Sequence, residues 1–261
     1  MRHFSTVEVT CPRPEVALAT LNRPEMLNAM NEQMIGEIEQ LCREVEATPQ
    51  IRVLVLAGAG RAFSSGLDLA EADRLISAAP TDRLAILTRW SRSVTMASRI
   101  SKPVIAAVNG HAAGGGLALA LAADLRIATP AARLSAAFIR AGFTGADMGV
   151  SWFLPRIAGL GYASDLMMTG RAIDAAEAER MGVVNQVVPE HDLLDTAYAL
   201  ADALIANNAV SIALTKRALH TNVDAPTLQV ALDLENRNQA LITATGAARE
   251  ALTSFQRRRL P

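Results

Sequence analysis

Two segments of the chain repeat one pattern, in which a run of small and β-branched apolar residues leads through a glycine-rich loop into a helix. The first run covers 53–57 and its loop 58–66, and the second covers 104–108 and its loop 109–116. The N-terminus of a helix exposes unpaired N–H groups and a partial positive charge, and glycine lets a ligand approach the backbone. The repeat therefore predicts an α/β chain with two backbone sites that favour negative charge.

Two common designs for such loops are absent. The dinucleotide fingerprint GxGxxG fails because Phe63 stands where its last glycine belongs, and the phosphate loop GxxxxGK[ST] does not occur. A third design is an oxyanion hole, in which two N–H groups hold one carbonyl oxygen as it gains charge. Two similar loops that each supply one donor suit that arrangement. Tight turns with close helix–strand packing are the alternative that spacing alone leaves open.

Composition argues against two classes of partner. The chain has 25 Lys and Arg residues against 26 Asp and Glu residues, so no global field attracts nucleic acid. The uncharged stretch 103–123 is long enough to span a bilayer, but Asn109, His111 and three consecutive glycines interrupt it. We therefore predict a strand over 104–108, a loop and a buried helix over 115–123, and no membrane partner.

Cysteine and histidine usage points to no metal. Cys11 and Cys42 fit no metal or redox spacing and indicate a reducing compartment. The first residues contain no apolar leader, so we expect a cytoplasmic protein. His3, His191 and His220 are too scattered to form a metal-ligand set.

Runs of β-branched residues alternate with helical periodicities over most of the chain, which indicates the α/β class. Strands are predicted over 15–21, 52–57, 104–108, 125–128 and 183–188, and helices over 30–45, 82–99, 115–123, 149–156, 162–169 and 175–181. After residue 190 the pattern is helical, over 192–207, 210–220, 227–244 and 248–257. We therefore divide the chain into an α/β core, 1–190, and a helical segment, 191–261, that packs on its own core or clasps a neighbouring subunit.

Several motifs together carry a family resemblance. They cover 21–24, 28–29, 60–69, 102–116, 123–124, 166–171 and 178–184. With these motifs the chain resembles the crotonase (enoyl-CoA hydratase/isomerase) superfamily over nearly its whole length. The resemblance implies a spiral of repeated ββα units, an acyl-CoA thioester as substrate, and homotrimers that often pair into hexamers. Coenzyme A is then part of the substrate, and no separate cofactor is expected.

The resemblance also assigns site residues. It places the oxyanion hole at the backbone N–H groups of Leu67 and Gly115, where a thioester oxygen that becomes enolate-like gains most from fixed donors. The remaining residues assigned to substrate or CoA binding are Arg23 near the phosphates, Ser65 (together with Leu67) near the adenine, Asp68, Gly114, and Phe255 and Arg258 in the C-terminal tail.

The chain departs from the family pattern at two positions. Hydratases of this family use two glutamates to add water, and Ala118 and Phe138 stand at the matching positions. Neither side chain can transfer a proton, so the two-glutamate hydration mechanism is not available. Glu71 is the nearest other glutamate, and we interpret it as a surface helix residue.

With both family glutamates replaced, Asp147 is the candidate catalytic acid. It resembles the aspartate of dienoyl-CoA isomerases and the nucleophile of 4-chlorobenzoyl-CoA dehalogenase, and an apolar pocket would raise its pKa. The alternative is an Asp that caps the helix predicted to begin near Gly149. His111 is either a base or a loop histidine satisfied by neighbouring backbone, and Trp152 and Arg140 line the acyl pocket or have core or surface roles.

The sequence thus predicts an acyl-CoA enzyme that stabilises an enolate and favours double-bond isomerisation over hydration. The isomerase analogy is incomplete, because the partner glutamate of those enzymes aligns with Phe138. Two alternatives stay open: a largely non-catalytic acyl-CoA-binding protein, and a hydrolase or dehalogenase-like enzyme that uses Asp147.

Overall fold

The computed structural model describes residues 3–246, 248–249 and 252–253. In chain order its strands and helices are β1 (Val7–Arg13), β2 (Val16–Leu21), α1 (Glu32–Ala47), β3 (Val53–Gly58), β4 (Ala62–Ser64), α2 (Leu69–Ser77), α3 (Pro80–Arg99), β5 (Val104–Val108), β6 (His111–Ala113), α4 (Gly115–Ala122), β7 (Leu125–Ala128), β8 (Arg133–Ser135), α5 (Val150–Ala158), α6 (Leu160–Thr169), β9 (Ala172–Asp174), α7 (Ala175–Arg180), β10 (Gln186–Val187), α8 (Leu193–Ile205), α9 (Ala209–Asn222) and α10 (Leu228–Thr243).

A six-stranded sheet forms the centre of the fold, in the order β1-β2-β3-β5-β7-β10. Its strands pair in parallel except for the antiparallel hairpin of β1 and β2. Both faces of the sheet are covered, which explains the continuous Val, Leu, Ile and Ala runs. Leu54 and Leu56 face the cluster that contains α1 and α4, whereas Val53 and Val55 face Ala197 and Ala201 of α8.

A smaller sheet, in the order β4-β6-β8-β9, lies beside the first. Its strands follow those of the large sheet in the chain, so β3-β4-α2 and β5-β6-α4 are two turns of one spiral. The predicted spiral of ββα units is therefore confirmed. The uncharged stretch 103–123 is β5, β6 and α4, and every residue of α4 is buried.

The strand predictions hold for the large sheet and miss the small one. Strands are present at all five predicted segments, although the segment 183–188 contains only the two-residue β10. Strand β1 and the four small-sheet strands were not expected from the sequence. The small-sheet strands have three residues each, which is too short to show an alternating pattern.

The C-terminal helices have different relations to the core. α8 packs on the large sheet, whereas α10 contacts α9 and none of its residues is buried. Of the predicted helix over 248–257, the structure describes only 248–249 and 252–253. Phe255 and Arg258 lie outside the described residues. In the described part of the chain, no single helix is long and apolar enough to cross a membrane. One pair of consecutive helices, Glu190–Ile205 and Ala209–Asn222, reaches the required length and composition only when taken together, and the two are bent by 105° relative to each other.

Candidate active site at the two glycine loops

The first glycine loop is held in shape by the side chain of Asn28. Its amide nitrogen donates to the carbonyl oxygens of Ala59 at 2.9 Å and Ala62 at 2.8 Å, and its oxygen accepts from the N–H of Arg23 at 2.9 Å. The side chain is fully buried, and its backbone has a φ of 54°. A buried amide with three such partners fixes the segment before α1 against the turn that connects β3 and β4.

Met30 pairs with Leu67 as an isolated parallel bridge. The N–H of Met30 donates to Gly66 at 2.6 Å, and the N–H of Asp68 donates to Met30 at 3.1 Å. In a parallel bridge, the residues before and after one partner form both hydrogen bonds to the other partner. Here Gly66 and Asp68 bond Met30, so the N–H of Leu67 between them points away from Met30.

The second glycine loop touches the first through backbone atoms. A Cβ at Gly66 would lie 2.6 Å from the carbonyl oxygen of Ala113 and 3.2 Å from the nitrogen of Gly115. A Cβ at Gly116 would lie 2.3 Å from the carbonyl oxygen of Ser64. Glycine is therefore required at both positions by close approach, and the segments that carry Leu67 and Gly115 are neighbours.

Neither candidate oxyanion donor has an acceptor within the described chain. The N–H of Leu67 and the N–H of Gly115, the first residue of α4, donate no hydrogen bond to any described residue. Gly114 before it has a φ of 49° and donates to Ser135 at 3.0 Å. A free N–H at a helix N-terminus beside a second free N–H can stabilise negative charge on one oxygen.

Apolar side chains form the wall around Gly114 and Gly115. A Cβ at Gly115 would lie 3.0 Å from the sulfur of Met148 and 3.4 Å from the sulfur of Met30. A Cβ at Gly114 would lie 3.4 Å from the ring of Phe138, the position where the family comparison expects a glutamate. An apolar surround strengthens hydrogen bonds to a developing charge, because little solvent screens them.

Asp147 lies one residue from Met148 and is half-buried. Its carboxylate accepts the N–H of Met148 at 2.7 Å, and burial raises the pKa of the carboxyl above its ordinary value. Met148 itself has a φ of 46°, a left-handed conformation that is strained for a residue with a side chain. Gly149 is the N-cap of α5 and no side chain caps that helix, so the helix-cap interpretation of Asp147 is wrong.

Arg23 and Asp68, two predicted CoA-binding residues, form an ion pair at 2.8 Å. Arg23 also donates to the carbonyl oxygen of Ala29 at 2.6 Å. Burial acts to raise the pKa of Asp68, but the hydrogen bonds from Arg23 and the N–H of Ala70 outweigh it and hold that pKa below its usual range. Ser65 lies half-buried on the same loop, and its N–H donates to Leu27 at 2.9 Å.

The structure also places two other candidates, Glu71 and His111. Glu71 accepts the N–H of Glu32 at the start of α1 at 3.0 Å and pairs with Arg74, so it holds α1 and α2 together. His111 lies in strand β6, with an exposed side chain and no hydrogen bond to described residues. The expectation of a loop histidine satisfied by neighbouring backbone is therefore wrong, because the residue lies in a strand and its ring bonds no described backbone group.

A cleft of about 910 Å³ opens between α3, α5 and α9. Met148, Gly149 and Trp152 line it. The guanidinium of Arg156 lies over the exposed indole of Trp152, 3.3 Å from a ring centroid. Arg140 is exposed and is not part of this lining. Of the two residues considered for an acyl pocket, Trp152 thus lies at the cleft and Arg140 does not.

A polar cluster that the sequence does not predict attaches α9 to the core. Lys216 donates to Asp124 at 2.7 Å and to the carbonyl oxygen of Lys102 at 2.9 Å, and His220 lies 3.3 Å from the other oxygen of Asp124. Burial acts to raise the pKa of Asp124, but the bonds from His220, Lys216 and the N–H of Val104 hold it below its usual range. In the sequence, the four-residue spacing of Lys216 and His220 places both on one helix face, and Lys102 and Asp124 lie in two of the family motifs.

Comparison with known proteins agrees with this architecture. A family model described as enoyl-CoA hydratase/isomerase matches residues 13–261. A probable enoyl-CoA hydratase of Mycobacterium bovis is 40% identical over 262 residues, which cover 98% of this chain and 92% of that protein. The 1,2-epoxyphenylacetyl-CoA isomerase of Escherichia coli is 37% identical over 249 residues, which cover 94% of each protein.

A solved structure extends the agreement to three dimensions. The structure of a probable enoyl-CoA hydratase/isomerase from Mycobacterium abscessus has a TM-score of 0.90 at 38% identity, and the match covers 98% of this chain and 97% of that one. The ββα spiral, the family model and these relatives agree over nearly the whole length. The chain therefore belongs to the enoyl-CoA hydratase/isomerase family of enzymes, within the crotonase superfamily.

Proposed function

We propose that this enzyme moves a double bond within an acyl-CoA thioester and does not add water across it. In this proposal the N–H groups of Leu67 and Gly115 hold the thioester oxygen, and Asp147 carries the proton. The observation that supports it most is the half-buried carboxyl of Asp147 beside Met148, whose sulfur lies against Gly115.

The proposed reaction is balanced without a co-reactant. The carboxylate of Asp147 removes a proton from the carbon next to the thioester of a 3-enoyl-CoA. The electron pair moves onto the thioester oxygen, where two N–H donors stabilise the dienolate. The protonated Asp147 then returns the proton to the far end of the conjugated system as the carbonyl re-forms. The product is the 2-enoyl isomer, and its mass equals that of the substrate.

Burial supports this role of Asp147. A carboxyl with a raised pKa is a stronger base when it is ionised and holds the proton longer once it has taken it. Hydration would need a second group to deliver a proton while water attacks. At the two positions that the resemblance assigns to that chemistry stand Ala118, fully buried in α4, and Phe138, whose ring packs on Gly114.

We propose that the CoA part binds along the first glycine loop, beside Ser65 and Asp68. Arg23 would reach the phosphates only by sharing or leaving its ion pair with Asp68, because that pair holds its guanidinium in the structure. The resemblance also assigns Phe255 and Arg258 to CoA binding, and both lie outside the described residues. As the resemblance implies, the working unit would be a homotrimer or a hexamer.

A panel of thioesters tests the reaction. The protein is incubated with 2-enoyl-, 3-enoyl- and 2,5-dienoyl-CoA of several chain lengths, and each sample is followed by ultraviolet absorbance and by mass. We expect an absorbance change at constant mass. A gain of one water would instead support hydration, the activity in the name of the Mycobacterium bovis relative. Binding without any turnover across the panel would support a non-catalytic acyl-CoA-binding protein.

The variant Asp147→Asn tests the proposed base. We expect kcat for isomerisation to fall by about 10²–10⁴-fold, the usual contribution of a general acid–base, while saturated acyl-CoA still binds. Asp195→Asn, an exposed position of α8, is the matched control and is expected to keep wild-type kcat. Wild-type turnover in Asp147→Asn would rule out Asp147 as the base.

A further inference from the structure

Apolar and basic side chains both line the cleft between α3, α5 and α9. Beside Met148 the lining is apolar, because Val94 and Phe153 lie against the next residue, Gly149. The lining also includes the basic side chains of Arg99, on α3, and Arg217, on α9. No acidic side chain is among the described residues that line the cleft. The cleft therefore suits a ligand that has an apolar part and carries an anionic group.

The basic groups of the cleft are unequally available. Lys216 and His220 both contact Asp124, so the ammonium of Lys216 already has a carboxylate partner. Arg99, in the last turn of α3, and Arg217, on α9, make no ion pair with any residue between 3 and 246. Two guanidinium groups with no carboxylate partner in the described part of the chain can bind an anion, and a guanidinium binds a carboxylate through paired hydrogen bonds.

Met148 connects this cleft to the proposed oxyanion hole. Its sulfur would be 3.0 Å from a Cβ at Gly115, and the residue also lines the cleft. A thioester whose oxygen is held at Gly115 therefore has Met148 between its reacting carbons and the cleft. A methionine is flexible enough to let an acyl chain pass along it.

We propose that the preferred substrate carries a carboxylate at the far end of its acyl chain, so that it is the mono-CoA thioester of a dicarboxylic acid. The chain runs past Met148 into the cleft, and its terminal carboxylate binds Arg99 and Arg217. This inference rests on the proposed function, since it takes the reacting thioester to be held at Leu67 and Gly115. It assigns a role in substrate selection to two arginines on α3 and α9.

Binding of saturated thioesters tests the inference apart from catalysis. Adipyl-CoA is compared with hexanoyl-CoA, and sebacyl-CoA with decanoyl-CoA, by calorimetry; the members of each pair have equal chain length and differ in the terminal carboxylate. We expect the carboxylate member of at least one pair to bind about tenfold more tightly, as a charge-assisted hydrogen bond would give. Equal affinities within both pairs would overturn the inference.

Substitutions of Arg99 and Arg217 test whether these two residues cause the preference for a terminal carboxylate. Arg99→Gln and Arg217→Gln are each expected to lower the affinity for the dicarboxylic thioester, and the double variant to abolish the preference while hexanoyl-CoA binds as before. Both side chains are exposed and without ion pairs to described residues, so the fold is expected to tolerate these changes. Arg92→Gln, an exposed position of α3 outside the cleft lining, is the control and should keep the preference.

The outcomes separate this inference from the proposed function. Isomerisation of 3-enoyl-CoA with no preference for a terminal carboxylate would overturn the inference alone. Preferential binding of the dicarboxylic thioesters with no isomerisation would overturn the proposed function alone. A preference that survives in the double variant, or that is lost in Arg92→Gln, would show that the cleft arginines are not the recognising groups.

Discussion

Close backbone contact at a few glycines brings the two loops of the site together. Gly66 and Gly116 face carbonyl oxygens of the opposite loop at distances that leave no room for a side chain. Beside them, Met148 adopts a left-handed conformation and orients Asp147 through its own N–H. Strain of this kind persists only where surrounding contacts impose it, and it is common at functional sites.

The raised pKa of Asp147 makes stability depend on pH in a defined direction. Because burial raises the pKa above the ordinary 3.8, the folded state binds this proton more tightly than the unfolded state does. The resulting stabilisation is fully present below pH 3.8 and is lost as pH rises through the folded-state value. Asp147→Asn, which stays neutral, should therefore gain stability relative to wild type as pH rises from acid to neutral.

Urea unfolding of both proteins over a pH series checks this expectation. The difference in unfolding free energy should widen in favour of Asp147→Asn with rising pH and then level off. A difference that does not change with pH would show that the carboxyl is not destabilised by burial.

The same raised pKa predicts that kcat of the wild type falls as pH drops through it, since the base must be ionised.

Two glycine substitutions separate close contact from helix propensity. Gly116→Ala places a Cβ 2.3 Å from a backbone oxygen that cannot move aside, and we expect a loss of about 3 kcal/mol of stability. Gly36→Ala, within α1, meets no atom within 4 Å and should gain about 0.5–1 kcal/mol. Urea midpoints measure both, and a similar effect at the two positions would contradict the close contact of the loops.

At the scale of elements, α9 depends on one buried polar cluster for its place. Among its residues only Lys216 is buried, and its ammonium bonds both the Asp124 carboxylate and the carbonyl oxygen of Lys102. The N–H of Val104 also donates to Asp124 at 2.8 Å, so the cluster joins α9 directly to β5. α8, in contrast, is held by apolar packing on the sheet.

Lys216→Met should therefore loosen α9 and leave the sheet intact. Removing one partner of a buried ion pair leaves the other charge uncompensated, which costs about 3–5 kcal/mol. Because His220 still faces Asp124, we expect the lower part of that range. Hydrogen exchange should accelerate in α9 and stay slow in β5, and the double variant Lys216→Met/Asp124→Asn should recover part of the loss. Equal acceleration in both elements would contradict a local role.

At the scale of the whole molecule, apolar surface remains uncovered on the C-terminal helices. Leu219 on α9 and Leu228 and Leu241 on α10 are 67%, 75% and 57% exposed. Large exposed apolar side chains on two helices that contact each other favour binding to another protein surface. The net charge of -1 gives little repulsion between copies of the chain.

We predict that the full chain assembles as a homotrimer or a hexamer that covers these helices. Light scattering coupled to size exclusion should give three or six chain masses at micromolar concentration. Leu241→Lys, which suits the end of a helix, should shift the equilibrium towards smaller species without unfolding α10. A single chain mass for the wild type at that concentration would contradict the prediction.

The large sheet was predictable because its strands are buried on both faces and therefore read as continuous apolar runs. The small sheet was not, since three residues carry no period and their pairing depends on neighbours distant in the chain. The repeated glycine loops pointed to two backbone donors, and the motifs around them pointed to the family. For Asp147, by contrast, the sequence allows either a catalytic acid or a helix cap.

The sequence by itself therefore determined the α/β class, the two loops and the family, because these depend on local pattern and on residues near one another in the chain. The tertiary structure decided that the two loops meet at Gly66 and Gly115, that Met148 lies against Gly115, and that Asp147 does not cap α5. It also decided that Arg99 and Arg217 share one cleft. These are matters of proximity and burial between distant segments, and packing sets them.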